Sequence, residues 1–204
     1  MRRIGPELPG KRNAMPFEFY FPKTFYYRDD VLTEVENETL LVAARKLRQE
    51  FPHSTRPNLY TTYGSIADVL AGEAFAELRR ALVTDIQAYL EQLETSASHE
   101  AIITDFRISI SAPGNYERMH THGGSYVSGV YYIKVAPESG RISFETLDDN
   151  LWASARKRQE NWNALSFDAV ERRVILFNSQ VPHYVSQNMS QIERIALSFN
   201  VTIQ

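Results

Sequence analysis

Three of the five histidines in this 204-residue chain, His120, His122 and His183, lie in its C-terminal half, and the first two are separated by a single residue. Residues i and i+2 of a strand point to the same face, so His120 and His122 could offer two imidazoles to one ion. His183 could supply the third. It follows Phe177-Asn178-Ser179-Gln180-Val181-Pro182 and starts a strand-like stretch expected beside the first ligand strand after a barrel turn. Three protein ligands on one face leave positions open for substrate and dioxygen, which is the logic of facial non-haem iron sites. The chain has no cysteine, so disulfides, zinc thiolates, iron–sulfur clusters, thiolate copper and thiol nucleophiles are excluded, and any metal must be held by nitrogen and oxygen. A His-x-His pair alone is equally compatible with surface or structural histidines. His53 and His99 are assigned no role.

Arg194 follows in Glu193-Arg194-Ile195-Ala196-Leu197-Ser198-Phe199-Asn200. Inside a barrel otherwise filled by Ile, Leu and Phe, this arginine would be an unpaired buried charge unless something acidic sat opposite. A carboxylate cosubstrate would answer it, because the guanidinium fork binds carboxylates bidentately. Alternation puts Arg194, Ala196, Ser198 and Asn200 on one face and Ile195, Leu197, Phe199 and Val201 on the other. Which face is inward stays open at this level, and an outward Arg194 on an edge strand is the alternative.

The elements that must position these residues divide the chain. Val31, Val35, Leu40, Leu41, Ala44 and Leu47 recur near the helical period, with Thr33 and Glu36 in capping-box spacing, which predicts a helix over about 33–50. Ser65 and Asp68 repeat that spacing ahead of an apolar stripe through Phe75, Leu78, Leu82, Ile86, Leu90 and Leu93, predicting a second helix over 73–94. The polar stretch from Pro52 to Gly64 reads as a loop. After Ala101 the period falls to two, with strand-like runs at 102–111, 126–135, 141–147, 172–177 and 195–203. The segment from Asp148 to Asp168, with Trp152, Arg156, Lys157, Arg158 and Trp162, reads as a covering helix or a lid. Short strands must solve their edge problem by closing into a barrel or a double-sheet jelly roll. The expected fold is therefore α+β, with N-terminal helices packed on a C-terminal jelly-roll, cupin-like barrel. Residues 1–16, rich in Gly and Pro, are expected to be a flexible tail, and Met15 is a candidate alternative start. Residues 17–204 are expected to form one domain, helical over about 17–100 and β over about 101–204.

In combination these residues resemble the 2-oxoglutarate and Fe(II)-dependent oxygenases, specifically the small bacterial and phage members. The resemblance rests on His120-Thr121-His122, then Ser128-Gly129-Val130-Tyr131-Tyr132, Ser139-Gly140-Arg141-Ile142-Ser143-Phe144, Phe177 to His183, and Arg194 to Asn200. It covers about 95 residues in order, and the N-terminal helices more loosely. It implies a prolyl-hydroxylase-like double-stranded β-helix in which His120 and His183 are iron ligands and Arg194 holds the far carboxylate of 2-oxoglutarate. Tyr132 stands where such members place a tyrosine on the same carboxylate. The position usually taken by Asp or Glu is His122, whose neutral ring would raise the charge of the iron site by one. His122 is expected to ligate, with Glu117 or Glu145 as the alternative carboxylate donor. Ala196 replaces the serine that many members carry two residues after the arginine, and Ser198 could compensate weakly. The resemblance further implies hydroxylation of a small-molecule or peptide substrate with dioxygen, 2-oxoglutarate being decarboxylated to succinate. Asn178, Arg107, Tyr116 and residues of the 148–168 segment are candidate substrate-facing groups. Halogenation is disfavoured, because His122 occupies the position that the family's halogenases leave small.

Composition sets the remaining bounds. With 43% hydrophobic and 23% charged residues and a net charge of -3, the chain is an ordinary globular protein without a global basic field for nucleic acid. No run of about 20 apolar residues suggests a membrane span, and no signal-peptide core is evident, so a soluble cytoplasmic enzyme is expected. An exposed helix stripe could make a homodimer. Two rival readings remain: a cupin-type three-histidine dioxygenase without 2-oxoglutarate, and a non-catalytic ligand-binding β-barrel. Gly114 ahead of His-x-His echoes the first cupin motif, but the glutamate that should follow is absent from 123–127. Arg194 counts against the cupin reading.

Overall fold

The computed structural model describes residues 23–57, 59–65, 67–93, 100–146 and 162–204. The expected tail at 1–16, His99, and Trp152, Arg156, Lys157 and Arg158 of the inserted segment lie outside the described residues. Helix α1 spans Glu34–Glu50, and its capping box forms as the spacing predicts: the Thr33 hydroxyl accepts from the Glu36 amide, and the Glu36 carboxylate accepts from the Thr33 amide. Helix α2 spans Ala76–Gln92 behind a short 3-10 turn, Glu73–Phe75. Ser65 and Asp68 do not cap it. They accept from the Ala67 and Ala71 amides and shape the loop before the helix, whose own start has no side-chain cap.

Among the described residues, ten strands form two antiparallel sheets. The larger joins β1 (Phe25–Arg28), β8 (Val174–Asn178), β5 (Val127–Lys134), β10 (Arg194–Ile203), β3 (Ala101–Ser111) and β2 (Tyr60–Thr61) in that order. The smaller joins β4 (Glu117–His120), β9 (His183–Val185), β6 (Arg141–Glu145) and β7 (Ala164–Asp168). Two expectations are corrected. The polar loop from Pro52 to Gly64 contains β2, recruited by pairing with Ile110 and Ser109 of β3 rather than by its own pattern. The end of the segment read as a covering helix or lid is strand β7, whose Ala-Leu-Ser-Phe-Asp alternation pairs with β6.

Strand alternation gives the larger sheet two distinct faces. Ile108, Ile110, Tyr131, Ile133, Leu197 and Phe199 share one buried cluster with Leu40, Leu41, Leu78, Leu82 and Ile86 of the helices. Asn37 of α1 fastens this side, donating to the Ile133 carbonyl and accepting from the Tyr131 hydroxyl, both at 2.9 Å. Val130, Tyr132, Ile175, Phe177 and Ala196 point the opposite way, to a second cluster with Ile142 and Phe144 of the smaller sheet. Gly129 sits where the chain allows no side chain, since a Cβ there would lie 2.2 Å from the Phe199 ring.

One polar tie links β1 to α2. Asp85, 1% exposed, accepts from the Tyr26 hydroxyl at 2.7 Å and from the Arg28 guanidinium at 2.6 and 2.9 Å. Removing the carboxylate leaves the Tyr26 phenol and a partly exposed Arg28 guanidinium without their acceptor. Asp85→Ala is therefore expected to lower the unfolding free energy by about 3 kcal/mol, read as a lower urea midpoint at unchanged slope.

Candidate metal centre

The shorter sheet brings two of the three predicted histidines together by register. His120 ends β4 and pairs directly with His183, the first residue of β9. His122 arrives differently. It stands beyond the end of β4, in the turn containing Gly123 and Gly124, so the same-face argument for a strand does not apply to it. Two hydrogen bonds fix it instead: its amide donates to the Ser179 carbonyl at 2.9 Å, and its carbonyl accepts from the Gln180 side-chain amide at 3.1 Å. The three rings meet with centroids 4.3–5.1 Å apart, and one ring nitrogen from each lies within 4.8 Å of the others. Nitrogens about 2.1 Å from one ion on a single face lie about 3 Å apart, so the rings would each have to swing inward by roughly an ångström to close on one metal.

Hydrogen bonding selects the nitrogen each ring can present. His120 Nδ1 lies 2.7 Å from the Arg118 carbonyl, and His183 Nδ1 lies 2.8 Å from the Val181 carbonyl. A carbonyl can only accept, so each Nδ1 carries the proton and each Nε2 keeps a lone pair for a ligand. Burial pushes the His183 pKa down to about 4, helped by His120 and Arg107 and opposed by the Val181 carbonyl. Burial also takes His122 down to about 3, with Arg107 and the other two histidines adding to the effect. Both rings are neutral near pH 7, the form that binds metals.

This has a consequence for the metal-free protein. An unfolded histidine takes its proton near pH 6.5, whereas folded His183 resists until about 4. Below pH 6.5 the unfolded state binds more protons, so stability falls with decreasing pH and the loss levels off below about 4. Unfolding of the metal-free protein should show a loss of the order of 3 kcal/mol from His183 across that window; a flat profile between pH 6.5 and 4 would contradict it.

No carboxylate joins the histidine group among the described residues. Glu117 lines the same pocket but lies 3.8 Å from Arg56, and Glu145 lies outside the pocket lining. Arg194 does face that pocket, which resolves the alternation of β10: Arg194, Ala196, Ser198 and Asn200 line it together with Tyr132 and the three histidines. Arg194 is 5% exposed and donates to the Ser139 carbonyl and, at 3.1 Å, to the Ser111 hydroxyl. Among the described residues no carboxylate forms an ion pair with it, and burial lowers its pKa, with Tyr132 and Glu117 opposing. Burial pushes the Tyr132 pKa up to about 12, so its hydroxyl stays protonated beside the guanidinium. Gly140, at φ 91°, completes the cradle, because a Cβ there would stand 2.7 Å from Arg194 Nη1 and 2.4 Å from the Ser186 carbonyl.

Sequence reasoning missed this support. Ser111 is readable only once β3 and β10 are in register, where it pairs with Arg194. It also missed a buried chain in which Ser179 and Ser128 share a 2.8 Å hydrogen bond, Ser128 donates to Asn200, and Asn200 donates to Asp105. Of the named candidate substrate-facing residues, Arg107 lines the pocket, and most of the 148–168 segment lies outside the described residues. Asn178 instead accepts from the Gln180 amide, and Tyr116 is an exposed side chain outside the pocket lining.

Residues 107–200 match the family described as "Putative 2OG-Fe(II) oxygenase". No protein of curated function matches the chain in sequence. Solved structures share the fold at low identity. A Pseudomonas putida prolyl-4-hydroxylase is 16% identical, with a TM-score of 0.62 over 87% of this chain and 91% of that one. HygX from Streptomyces hygroscopicus, solved with nickel and 2-oxoglutarate bound, is 14% identical, with a TM-score of 0.63 over 89% and 83%. A Trichoplax adhaerens prolyl hydroxylase, in complex with a hypoxia inducible factor peptide fragment, is 16% identical, with a TM-score of 0.62 over 87% and 83%.

Proposed function

We propose, from the premise that the chain is a 2-oxoglutarate- and Fe(II)-dependent oxygenase whose family match spans residues 107–200, that His120, His122 and His183 hold the iron and that Arg194 and Tyr132 hold the cosubstrate. The observation that carries this assignment is the meeting, in one pocket, of three convergent imidazoles and a buried arginine without an acidic partner among the described residues. The donor set fits a divalent first-row ion with open positions, since nitrogen ligands on one side leave the other side free. Iron with 2-oxoglutarate would supply dioxygen activation, the balanced reaction being R–H + O2 + 2-oxoglutarate to R–OH + succinate + CO2.

The chain's own groups do the placing. Arg194 receives the far carboxylate as a charge-assisted pair, with Ser111 and Ser139 fixing its plane and Tyr132 donating from the side. Ser198, on the same face of β10, is a secondary polar contact. The Arg118 and Val181 carbonyls hold the ring orientation of His120 and His183. In this reading residues 17–204 are one domain, a double-stranded β-helix buttressed by the two helices, acting on a small molecule or peptide. No described helix is long and apolar enough to cross a membrane, which accords with the cytoplasmic location we propose.

The test is anaerobic. Fe(II) and 2-oxoglutarate added together should give the visible charge-transfer band of a chelate, and each component alone should not. A three-histidine dioxygenase that works without 2-oxoglutarate has the neutral donor set in its favour; it would bind iron and give no such band. A ligand-binding barrel would take up no stoichiometric iron at all.

A further inference from the structure

The pocket holds a second arginine that the cosubstrate does not require. Arg107 lines it from β3, paired in register with Ser198, four residues from Ser111 on the same strand face. That separation places the two arginines' positions roughly 13 Å apart along the sheet. The guanidiniums also have separate partners: Arg194 donates to Ser111, whereas Arg107 pairs with the Asp105 carboxylate, two residues further from Ser111. One five-carbon diacid held at Arg194 and at the histidines does not engage both. Arg107 instead shares the pocket lining with His120, His122 and His183.

Its surroundings form a built site. The Arg107 side chain is 13% exposed and lies over the Tyr63 ring at 5.0 Å, with Arg56 at 5.7 Å from the same ring. Asp105 is its one hydrogen-bond partner among the described residues, so most of the five N–H donors of the guanidinium are uncommitted. Asp105 is itself shared, since its carboxylate also accepts from Asn200 at 3.1 Å, and Asn200 is anchored in turn by Ser128. Charge points the same way. Three neutral ligands leave the metal site one charge more positive than a site containing a carboxylate ligand, so a divalent ion and a dianionic cosubstrate would cancel there, with no ligand carboxylate left to repel an anionic substrate.

We propose that Arg107 anchors the substrate, and that the compound oxidised here carries an oxyanion, a carboxylate or a phosphate, received by this guanidinium beside the three histidines. This rests on the oxygenase reading above. The test uses the full chain loaded with redox-inert Ni(II) and saturating 2-oxoglutarate, each loading measured first. Calorimetry then follows titration with inorganic phosphate in one arm and acetate in the other, at matched ionic strength. Saturable binding with a Kd of roughly millimolar order is expected in at least one arm. It should weaken about tenfold or more in Arg107→Gln and be partly restored in Arg107→Lys. The arm that binds tells a phosphate-bearing substrate from a carboxylate. Equal affinity in Arg107→Gln, displacement of 2-oxoglutarate by the anion, or no saturable binding below about 50 mM in a fully loaded protein would overturn this inference alone. Failure to load nickel and 2-oxoglutarate would overturn the oxygenase reading and this inference with it.

Discussion

Arg194→Ala is expected to raise the Kd for 2-oxoglutarate by about a hundredfold or more while leaving metal uptake in place. The side chain is 5% exposed and its two polar partners, a serine carbonyl and a serine hydroxyl, are neutral. A carboxylate arriving there pairs with a desolvated cation, and truncating one side of such a pair costs roughly 2–5 kcal/mol. The expected signature is split: equilibrium metal binding unchanged, and the charge-transfer band recovered only at far higher cosubstrate concentration. Gly140→Ala provides an independent check on geometry. The added methyl collides with Arg194 Nη1 and the Ser186 carbonyl at a left-handed φ, so it should displace the arginine without deleting its charge. An undiminished band in both variants would show that the cosubstrate is held elsewhere.

Removing His183 should have the larger effect on metal. It is the buried member of the three, its ring is oriented by the Val181 carbonyl, and it stands opposite His120 in the ladder. His183→Ala leaves two donors, one of them on a turn, and a fall in Fe(II) affinity of at least about a hundredfold is expected, exceeding what loss of an outer hydrogen-bond partner brings. His122 permits a finer comparison. His122→Ala removes a donor, whereas His122→Asp supplies an oxygen donor and a negative charge at the same turn. Metal competition against a chromophoric chelator should show affinity lost in the first and retained in the second. No loss in His122→Ala would mean that His122 does not reach the ion.

The two halves of the molecule were unequally legible. Apolar periodicity located both helices and five of the strands because each of those elements buries one full face. It missed β1 and β2, which are strands because a partner's edge accepts them: Phe25–Arg28 pairs with β8, and Tyr60–Thr61 with β3. It also missed β4, whose Glu-Arg-Met-His sequence has no apolar alternation and owes its form to β9. The histidines and Arg194 could be picked out by type and spacing. The position of His122 could not, because a turn after the strand replaces the pleat that the spacing suggested. Nor could the orientation of Arg194, since an alternating strand reads the same from either side until the helices claim one face. Ser111 and Gly140 lie 83 and 54 positions before Arg194 in the chain, a separation that only the fold brings to contact.

The division of β10 between two neighbourhoods has a consequence for how such a protein can change over generations. Ile195, Leu197, Phe199 and Val201 are held by the packing against the helices, where even a methylene matters. Ala196, Ser198 and Asn200 alternate with them and face the pocket. A single strand thus carries two kinds of constraint side by side, one from packing against the helices and one from the pocket, where Ala196 also packs against the smaller sheet and Asn200 is held by Ser128 and Asp105. New chemistry at the pocket can be explored most freely at Ser198, the pocket-facing residue of this strand that is only partly buried, with its neighbours keeping each trial sequence folded long enough to be selected.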